Sequence, residues 1–212
     1  MANDLTRAKT DGIQRVNAVL DWVDYGRTRN EVVHRLAKYR DWLATEAVTA
    51  GGIGPAEVSR LWGRHLADSL TFMAGLDDNA TIVDVGSGVG LPGIPLAIAL
   101  PDVTFTLLDR SERRCDLASR ALRVLRLTNA DVVLGDAADL TLPHDAAVSR
   151  AVASPARFVP ILRRLLPNGT VAVLAGSRGE GPPTEPGDFE TIRVPKHVLG
   201  ESAWLAKVSL LP

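Results

Sequence analysis

We predict an α/β fold from the sequence: a doubly wound, mostly parallel sheet of seven strands that follows an N-terminal helical extension. Between residues 79 and 212, short apolar runs typical of buried strands alternate with segments in which apolar residues recur at helical spacing. Such alternation places parallel strands side by side with helices on both faces of the sheet. Residues 1–78 show helical spacing only, so we expect an extension over 1–78 that packs on a core domain over 79–212.

The extension begins with two predicted helices between Gly12 and about Thr49. Their apolar residues recur every three or four positions, at Ile13, Val16, Val19, Leu20, Val23, Val32, Val33, Leu36, Tyr39 and Leu43. The segment from Gly51 to Pro55 breaks this pattern, and Pro55 then suits the first turn of a further helix. That helix is predicted to carry Val58, Leu61, Trp62, His65, Leu66 and Leu70.

Each element of the core follows from a local pattern. Apolar runs predict strands over 81–85, 103–108, 131–134, 146–149 and 170–174. Helical spacing predicts helices over 93–100, 113–127 and 158–166, the second with Leu117, Ala121, Val124 and Leu125 facing inward. A loop rich in glycine, proline and charge spans 176–187, and two closing strands over 189–194 and 204–210 are predicted to form a hairpin.

Composition narrows the class of protein. The 212 residues are 46% hydrophobic and carry a formal net charge of −1, which fits one globular domain with an extension and excludes disorder and fibrous repeats. A single cysteine, Cys115, excludes an internal disulfide framework, and four scattered histidines form no zinc-ligand pattern, so we expect no metal. No apolar run is long enough to span a bilayer and the start lacks a signal-peptide pattern, so we expect a cytoplasmic protein without membrane contact.

Basic residues are unevenly distributed. Six arginines lie between Arg110 and Arg126 against the two acids Glu112 and Asp116, and the stretch from Ala146 to Arg178 contains five arginines and no acid. Such stretches are often ordinary solvated helix faces, and they also suit contacts with RNA phosphates. On the helix over 113–127, we expect Arg113, Arg120 and Arg123 on one exposed face.

The loop after the first predicted strand has the composition of a cofactor-binding loop. Glycines at 86, 88 and 90 let the backbone turn tightly and approach a ligand that a Cβ would keep away. Their spacing differs from the dinucleotide pattern G-x-G-x-x-G, and the acid Asp84 at the strand end fits S-adenosylmethionine (SAM) better than a pyrophosphate. The alternative is that the glycines only make a tight strand-to-helix turn. The predicted SAM contacts here are Asp84, Gly86, Ser87, Gly88 and Gly90.

Loops after the next three strands complete the predicted cofactor site, because ligands of doubly wound sheets bind beyond the carboxyl ends of the strands. Asp109 ends the second strand and is placed to accept hydrogen bonds from both ribose hydroxyls, or alternatively to cap the next helix. After the third strand, Asp136 and the small residues Ala137 and Ala138 suit the adenine, although a simple turn fits almost as well. Arg150 ends the fourth strand, where it can hold a carboxylate bidentately or steer a phosphate.

Four stretches of the chain carry a more specific resemblance. They are RLWGRHLADSL over Arg60–Leu70, DVGSGVGLPGIPLAIA over Asp84–Ala99, Leu107–Asp109 with Arg113-Arg114, and AVSRAVAS over Ala147–Ser154. This combination resembles the RsmG (GidB) family of ribosomal RNA methyltransferases, from about Ala37 to Gly176. The resemblance implies a Rossmann-like methyltransferase sheet and SAM-dependent methylation of N7 of a guanosine in 16S (small-subunit) ribosomal RNA. It also implies cofactor contacts by Gly86, Leu91, Ala137, Ala138 and Arg150.

The implied reaction needs no strong base. Guanine N7 is already nucleophilic, so alignment with the methyl donor matters more than proton abstraction. Arg64, His65 and Asp68 are the candidates for positioning the substrate, and no catalytic residue is identified. Ribosomal RNA or the small ribosomal subunit is the expected partner, and we expect a monomer.

Two departures from the resembled family keep a second function open. The family commonly has a G-R-A-E run after the third strand, where this chain has Gly135-Asp136-Ala137-Ala138. The family's lysine after the fifth strand is absent from Leu174-Ala175-Gly176-Ser177, and Arg178 lies further on. The alternative is therefore an RsmG-like paralogue that methylates a nitrogen of a small molecule. A binding protein without catalysis is a third class, which the intact glycines and Arg150 disfavour.

Overall fold

The structure is a computed structural model that describes residues 2–76, 80–136, 144–150, 153–166, 170–179, 181–182 and 189–210, except for the side chains of residues 2–9, 164 and 165. Its helices are α1 (Ala2–Trp22), α2 (Arg29–Trp42), α3 (Asp68–Leu70), α4 (Gly93–Ala99), α5 (Glu112–Leu125), α6 (Pro155–Leu165) and α7 (Lys196–Leu199). Its strands are β1 (Thr81–Val85), β2 (Thr104–Asp109), β3 (Ala130–Leu134), β4 (Ala146–Ser149), β5 (Val171–Arg178), β6 (Glu190–Val194) and β7 (Ala203–Ser209).

The seven strands form one sheet in the order β3-β2-β1-β4-β5-β7-β6. The first five strands of this order pair in parallel, and β7 pairs antiparallel with both β5 and β6. This architecture confirms the predicted α/β fold with a mostly parallel seven-stranded sheet. Strands β6 and β7 are neighbours as predicted for the hairpin, with the short helix α7 between them. The order reverses direction between β1 and β4, which makes that point the expected ligand-binding crevice.

Alternating side chains of the sheet face two hydrophobic cores. Ile82 and Phe105 belong to the core that contains the apolar residues of α4 and α5. Val83 and Ala147 belong to a second core, which contains the apolar residues of α6. The period of two along each strand thus buries both faces of the sheet, as the near-continuous apolar runs in the sequence indicate.

The N-terminal helices pack on one face of the sheet and share its core. Leu20, Leu36 and Tyr39 are fully buried in the same cluster as Ile94 and Phe105. The approach is close, because a Cβ built on Gly12 of α1 would lie 2.1 Å from the Cβ of Trp62. Helical segments therefore make up most of the described residues 2–76, and the treatment of 1–78 as a unit separate from 79–212 stays a prediction.

The segment predicted as a third helix of the extension is helical but irregular. It consists of 3₁₀ turns over Pro55–Arg60, a π-helical stretch over Leu61–Ala67, the single α-turn α3, and further 3₁₀ turns over Thr71–Gly75. Its tight packing against α1 through Gly12 and Trp62 is a tertiary constraint that the local periodicity does not contain. Such π-helical stretches recur at functional sites, and this one carries His65.

Two details of the core differ from the sequence prediction. Val124 was expected to face inward, but this prediction is wrong, since Val124 is 57% exposed. The other three predicted positions, Leu117, Ala121 and Leu125, are buried together with Cys115, Ala118 and Leu122. Strand β5 continues to Arg178, four residues beyond the predicted end at Leu174. The reason is pairing with β7, which extends the ladder past a bulge between Ala175 and Arg178.

None of the described helices combines the length and the apolar character needed to cross a bilayer. Within the same residues, no three histidine, cysteine, aspartate or glutamate side chains are grouped as metal ligands would be.

Candidate functional site

The glycine-rich loop after β1 makes a tight turn at the crevice between β1 and β4. Gly86, Gly88 and Gly90 adopt positive φ angles of 75°, 61° and 99°. The amides of Gly86 and Ser87 donate to the carbonyl of Leu108 at 2.8 and 3.0 Å, which anchors the loop to the end of β2. The predicted contacts Ser87 and Leu91 are buried. The tight turn that we considered as the alternative explanation of these glycines is thus present, and it leaves the loop available for a ligand.

Open space lies next to Gly88. Apart from Gly88 and its two chain neighbours, no described residue has an atom within 4 Å of the position that a Cβ on Gly88 would occupy. In contrast, a Cβ on Gly90 would lie 2.3 Å from the side chain of Ile94. Gly90 therefore serves packing, whereas Gly88 presents bare backbone to an unfilled space.

Asp84 is the penultimate residue of β1, on the face that carries α4, and it is fully buried. Its Oδ2 accepts a hydrogen bond from the amide of Gly93 at 2.7 Å, while no donor among the described residues reaches Oδ1. Burial raises the pKa of this carboxyl to about 7, against the opposing effects of the Gly93 amide and Arg150. A buried acceptor without a partner is costly, so a ligand that donates to Oδ1 would be favoured.

Asp109 ends β2, as predicted, but its carboxylate is already engaged with the backbone. Oδ2 accepts from the amide of Gly88 at 2.9 Å, and Oδ1 accepts from the amide of Ser111 at 2.9 Å. The second contact is to Ser111, which precedes α5, and no side chain caps the first turn of this helix, so the capping alternative is not observed. Each carboxylate oxygen can accept a second hydrogen bond, so the ribose contact stays a prediction.

Tyr39 of α2 supports the glycine-rich loop through a hydrogen bond, and the sequence analysis missed this role. Its hydroxyl donates to the carbonyl of Val89 at 2.8 Å, and the side chain is fully buried. The ring stacks on Trp42, with 6.2 Å between centroids. The helical periodicity of α2 identifies Tyr39 as a core residue but cannot indicate which backbone group its hydroxyl meets.

A cleft of about 670 Å³ opens beyond the carboxyl ends of β4 and β5. All three predicted substrate-positioning residues, Arg64, His65 and Asp68, line it together with Arg150. Asp68 and Arg150 are 82 positions apart in the sequence, and the packing of the extension on the sheet brings them together. The cleft is further lined by Ala153, Ser154, Pro155, Ala156, Ala175, Gly176, Ser177, Arg178 and Phe189.

Arg150 connects β4 with the irregular helical segment. Its guanidinium donates to the carbonyls of Arg64 and His65 at 3.4 and 3.5 Å and lies 3.8 Å from Asp68 Oδ2. The side chain is 15% exposed, and burial lowers its pKa. Arg150 therefore lies among the predicted substrate-positioning residues, and the prediction that it binds the cofactor is neither excluded nor tested by these contacts.

His65 is held in one tautomer by its neighbours. Arg150 Nη2 lies 3.3 Å from His65 Nδ1, and because an arginine only donates, Nδ1 must accept. The proton then resides on Nε2, which donates to Glu57 Oε2 at 2.9 Å. Burial and then Arg150 lower the pKa of His65, while the hydrogen bond from His65 lowers the pKa of Glu57. The imidazole is accordingly neutral near pH 7 and orients Arg150.

Arg178 is the second residue that sequence reasoning missed. It lies on the extended end of β5, where its Nη2 is 2.6 Å from Asp68 Oδ1 and its Nη1 pairs with Glu201. Arg178 thus supplies a cation at the end of β5, which Leu174-Ala175-Gly176-Ser177 lacks. Only the pairing of β5 with β7 reveals this position, since the sequence pattern ends the strand at Leu174.

The predicted adenine contacts are only partly described. Asp136 is exposed just after β3. Ala137 and Ala138 lie outside the described residues.

Comparison with known proteins gives consistent matches. The sequence profile of the GidB family, described as rRNA small subunit methyltransferase G, matches residues 33–182. The chain is 41% identical to a ribosomal RNA small subunit methyltransferase G of Mycobacterium marinum over 66% of this chain and 64% of the relative. It is 36% identical to a protein of the same name from Acidothermus cellulolyticus over 83% of this chain and 76% of the relative. The chain thus spans slightly less than two thirds of the M. marinum relative's length.

Solved structures share the fold at low sequence identity. The crystal structure of MtNAS in complex with MTA and tNA superposes with a TM-score of 0.56 at 15% identity, over 81% of this chain and 69% of that chain. A mutant of MtNAS in complex with S-adenosylmethionine gives a TM-score of 0.55 at 15% identity, over 84% of this chain and 72% of that chain. These two structures share the fold of the chain.

Proposed function

The chain belongs to the rRNA small subunit methyltransferase G family, and on that premise we propose that it methylates N7 of a guanosine in small-subunit ribosomal RNA with SAM as the methyl donor. One observation carries the proposal. A glycine-rich loop with open space and an unpartnered buried carboxylate oxygen lies at the switch point of the sheet, next to a cleft lined by three arginines. The three arginines are Arg64, Arg150 and Arg178.

The residues of the loop fit SAM. Asp84 Oδ1 offers a buried acceptor for the amino group of the methionine moiety, and Gly88 offers backbone without a Cβ beside the ribose. Asp109 Oδ1 and Oδ2 each have capacity for one ribose hydroxyl after their backbone contacts. When bound, SAM supplies an electrophilic methyl group on its sulfonium. Ser87, Gly86, Gly90 and Leu91 shape the loop, and Asp136, Ala137 and Ala138 are proposed for the adenine.

The cleft suits an anionic substrate such as RNA. Among the described residues that line it, Arg64, Arg150 and Arg178 outnumber the one acid, Asp68, and arginine pairs well with phosphate oxygens. His65 is neutral and has both nitrogens engaged, so it is not free to act as a base. A nucleophile that needs no deprotonation, such as guanine N7, is compatible with this arrangement.

A small-molecule substrate remains the second candidate, and Asp136 favours it. This acid is exposed beside the predicted cofactor site, at a place where the resembled family carries a basic residue. A carboxylate there would repel an RNA backbone at close range.

The experiment is methyl incorporation from labelled SAM. Naked small-subunit RNA, assembled small subunits and a filtered metabolite extract are offered in parallel, preferably from cells that lack the enzyme. We expect label in RNA or subunits, released as 7-methylguanosine on digestion, and none in the metabolites. Label confined to the metabolite extract would replace the RNA function by the small-molecule one, and label in no sample would contradict both.

A further inference from the structure

Asp68 and Arg178 form an ion pair inside the cleft, in which Nη2 of Arg178 does not meet the geometry of a hydrogen bond with any described residue. Arg178 Nη2 lies 2.6 Å from Asp68 Oδ1, and both side chains line the cleft. Asp68 is 16% exposed and is the only carboxylate among the described residues of the lining. Although burial acts against it, Asp68 raises the pKa of Arg178, so Arg178 is a cation.

The pair is fixed by its surroundings. Arg178 Nη1 also binds Glu201, and Arg150 Nη1 lies 3.8 Å from Asp68 Oδ2. The backbone that carries Asp68 is held by the hydroxyls of Ser69 and Thr71, which donate to the carbonyls of His65 and Asp68 at 2.6 Å each. A carboxylate has about four acceptor positions, so Asp68 keeps capacity for further donors after these contacts.

An arginine donor beside a carboxylate acceptor matches the Watson–Crick edge of guanine. That edge presents, in order, the O6 acceptor, the N1–H donor and the N2–H donor. Adenine places an acceptor at N1 and uracil flanks its single donor with two acceptors, so neither base offers two adjacent donors to a carboxylate. Enzymes that act on a base commonly read it through this edge.

We propose that Asp68 determines base specificity by accepting hydrogen bonds from N1–H and N2–H of the target guanine, while Arg178 donates to O6. The contact engages the Watson–Crick edge and leaves N7, which lies on the adjacent Hoogsteen edge, free for the methyl group. This inference rests on the proposed function and adds to it the residues that select guanine.

The test removes the N2 amino group from the target base and, separately, removes its proposed acceptor, the carboxylate of Asp68, from the protein. The methylated nucleotide is first located in small subunits treated with the wild-type protein, and subunits are then reconstituted with guanosine or inosine there. Inosine keeps O6, N1–H and N7 but lacks the amino group. We expect wild-type kcat/KM to fall about tenfold with inosine, and Asp68→Asn to lower kcat/KM on guanosine about 100-fold while abolishing the inosine penalty.

Glu201→Gln is the matched control. It also removes an acidic partner of Arg178, but Glu201 is 51% exposed and does not line the cleft. We expect this variant to keep the wild-type ratio between guanosine and inosine. Because Asp68 also lies near Arg150, the affinity for S-adenosylhomocysteine is measured for each variant. Asp68→Glu is a second variant, which is used should Asp68→Asn fail to fold. Its longer side chain displaces the carboxylate but keeps the charge, and it should lose the inosine penalty too.

The outcomes separate this inference from the function on which it rests. If the wild-type protein methylates no guanosine in subunits or RNA, the proposed function fails. If it methylates guanosine and the inosine penalty is the same in wild type, Asp68→Asn and Asp68→Glu, the role of Asp68 is overturned and the function stands. A penalty that disappears in Glu201→Gln as well would assign the effect to the position of Arg178 and overturn the role of Asp68.

Discussion

At the scale of single residues, the buried environment of Asp84 affects both ligand affinity and the stability of the fold. Its pKa of about 7 means that the carboxyl is protonated in mildly acidic solution and ionised above neutrality. The amino group of a bound ligand is cationic and prefers the ionised form. We therefore expect the affinity for S-adenosylhomocysteine to increase about tenfold from about pH 5.5 to pH 7, as titration calorimetry can measure.

The same pKa has an effect of known sign on stability. Because the folded-state value lies above the ordinary 3.8, the ligand-free protein binds more protons than the unfolded chain between about pH 4 and pH 7. Stability from this group is present at low pH and is lost as the pH rises through that window. Asp84→Asn should remove both dependences, and a variant whose ligand affinity still increased with pH would assign the effect to another group.

Gly88 provides a second prediction at this scale. Its φ of 61° and the open space at its Cβ position mean that Gly88→Val strains the backbone and fills the proposed ligand space. Gly179 is a matched control, since its φ is 100° and its Cβ position is likewise open. We expect Gly88→Val to abolish binding of S-adenosylhomocysteine and Gly179→Val to retain it, at similar losses of thermal stability. Equal affinities in the two variants would contradict the placement of the cofactor.

At the scale of elements, helix α2 supports the glycine-rich loop through the hydroxyl of Tyr39. Tyr39→Phe keeps the ring and its stacking on Trp42 but leaves the carbonyl of Val89 without its donor. We expect a loss of stability of about 1 kcal/mol and an affinity for S-adenosylhomocysteine about fivefold to tenfold weaker, because the loop loses its support.

Tyr25 offers a control of the same chemistry. Its hydroxyl donates to the carbonyl of Ala99 at 2.7 Å, at the far end of α4. Tyr25→Phe therefore removes one bond between the extension and the core without touching the loop. We expect this variant to lower the free energy of unfolding, measured by chemical denaturation, by a similar amount and to leave the ligand affinity unchanged. If both variants weakened binding equally, the effect of Tyr39 would be general destabilisation and not support of the loop.

At the scale of the whole molecule, a formal net charge of −1 coexists with a strongly basic surface on α5. Arg113, Arg120 and Arg123 are exposed there, as predicted. If this face contacts RNA phosphates, changing all three arginines to glutamate should weaken binding to small-subunit RNA and reduce the slope of log affinity against log salt by about two to three. Filter binding at several salt concentrations measures both quantities.

The affinity for S-adenosylhomocysteine provides the internal control, since this face lies outside the glycine-rich loop and should not influence it. An unchanged salt slope would remove α5 from the RNA interface. In that case, the exposed residues Arg157 and Arg163 of α6 would be the next to test.

Local patterns predicted most elements because each is dominated by its own spacing of apolar residues. β1 and β4 match the predicted ranges 81–85 and 146–149 without change. The errors occur where a neighbour decides the outcome. β5 is longer because β7 pairs with it, residues 55–75 are irregular because α1 packs against them, and Val124 is exposed because only one stripe of α5 meets the sheet.

The sequence by itself determined the class of sheet, the glycine-rich loop with Asp84 before it, and the set of residues worth testing, because these depend on short-range spacing and on residue type. The tertiary structure alone decided which of these residues meet. Arg150 joins His65 and Asp68 across more than 80 positions, Arg178 reaches Asp68 from a strand that the sequence ends too early, and Tyr39 meets the loop from a separate helix. Such contacts depend on how whole elements pack on one another, which no local pattern in the chain records.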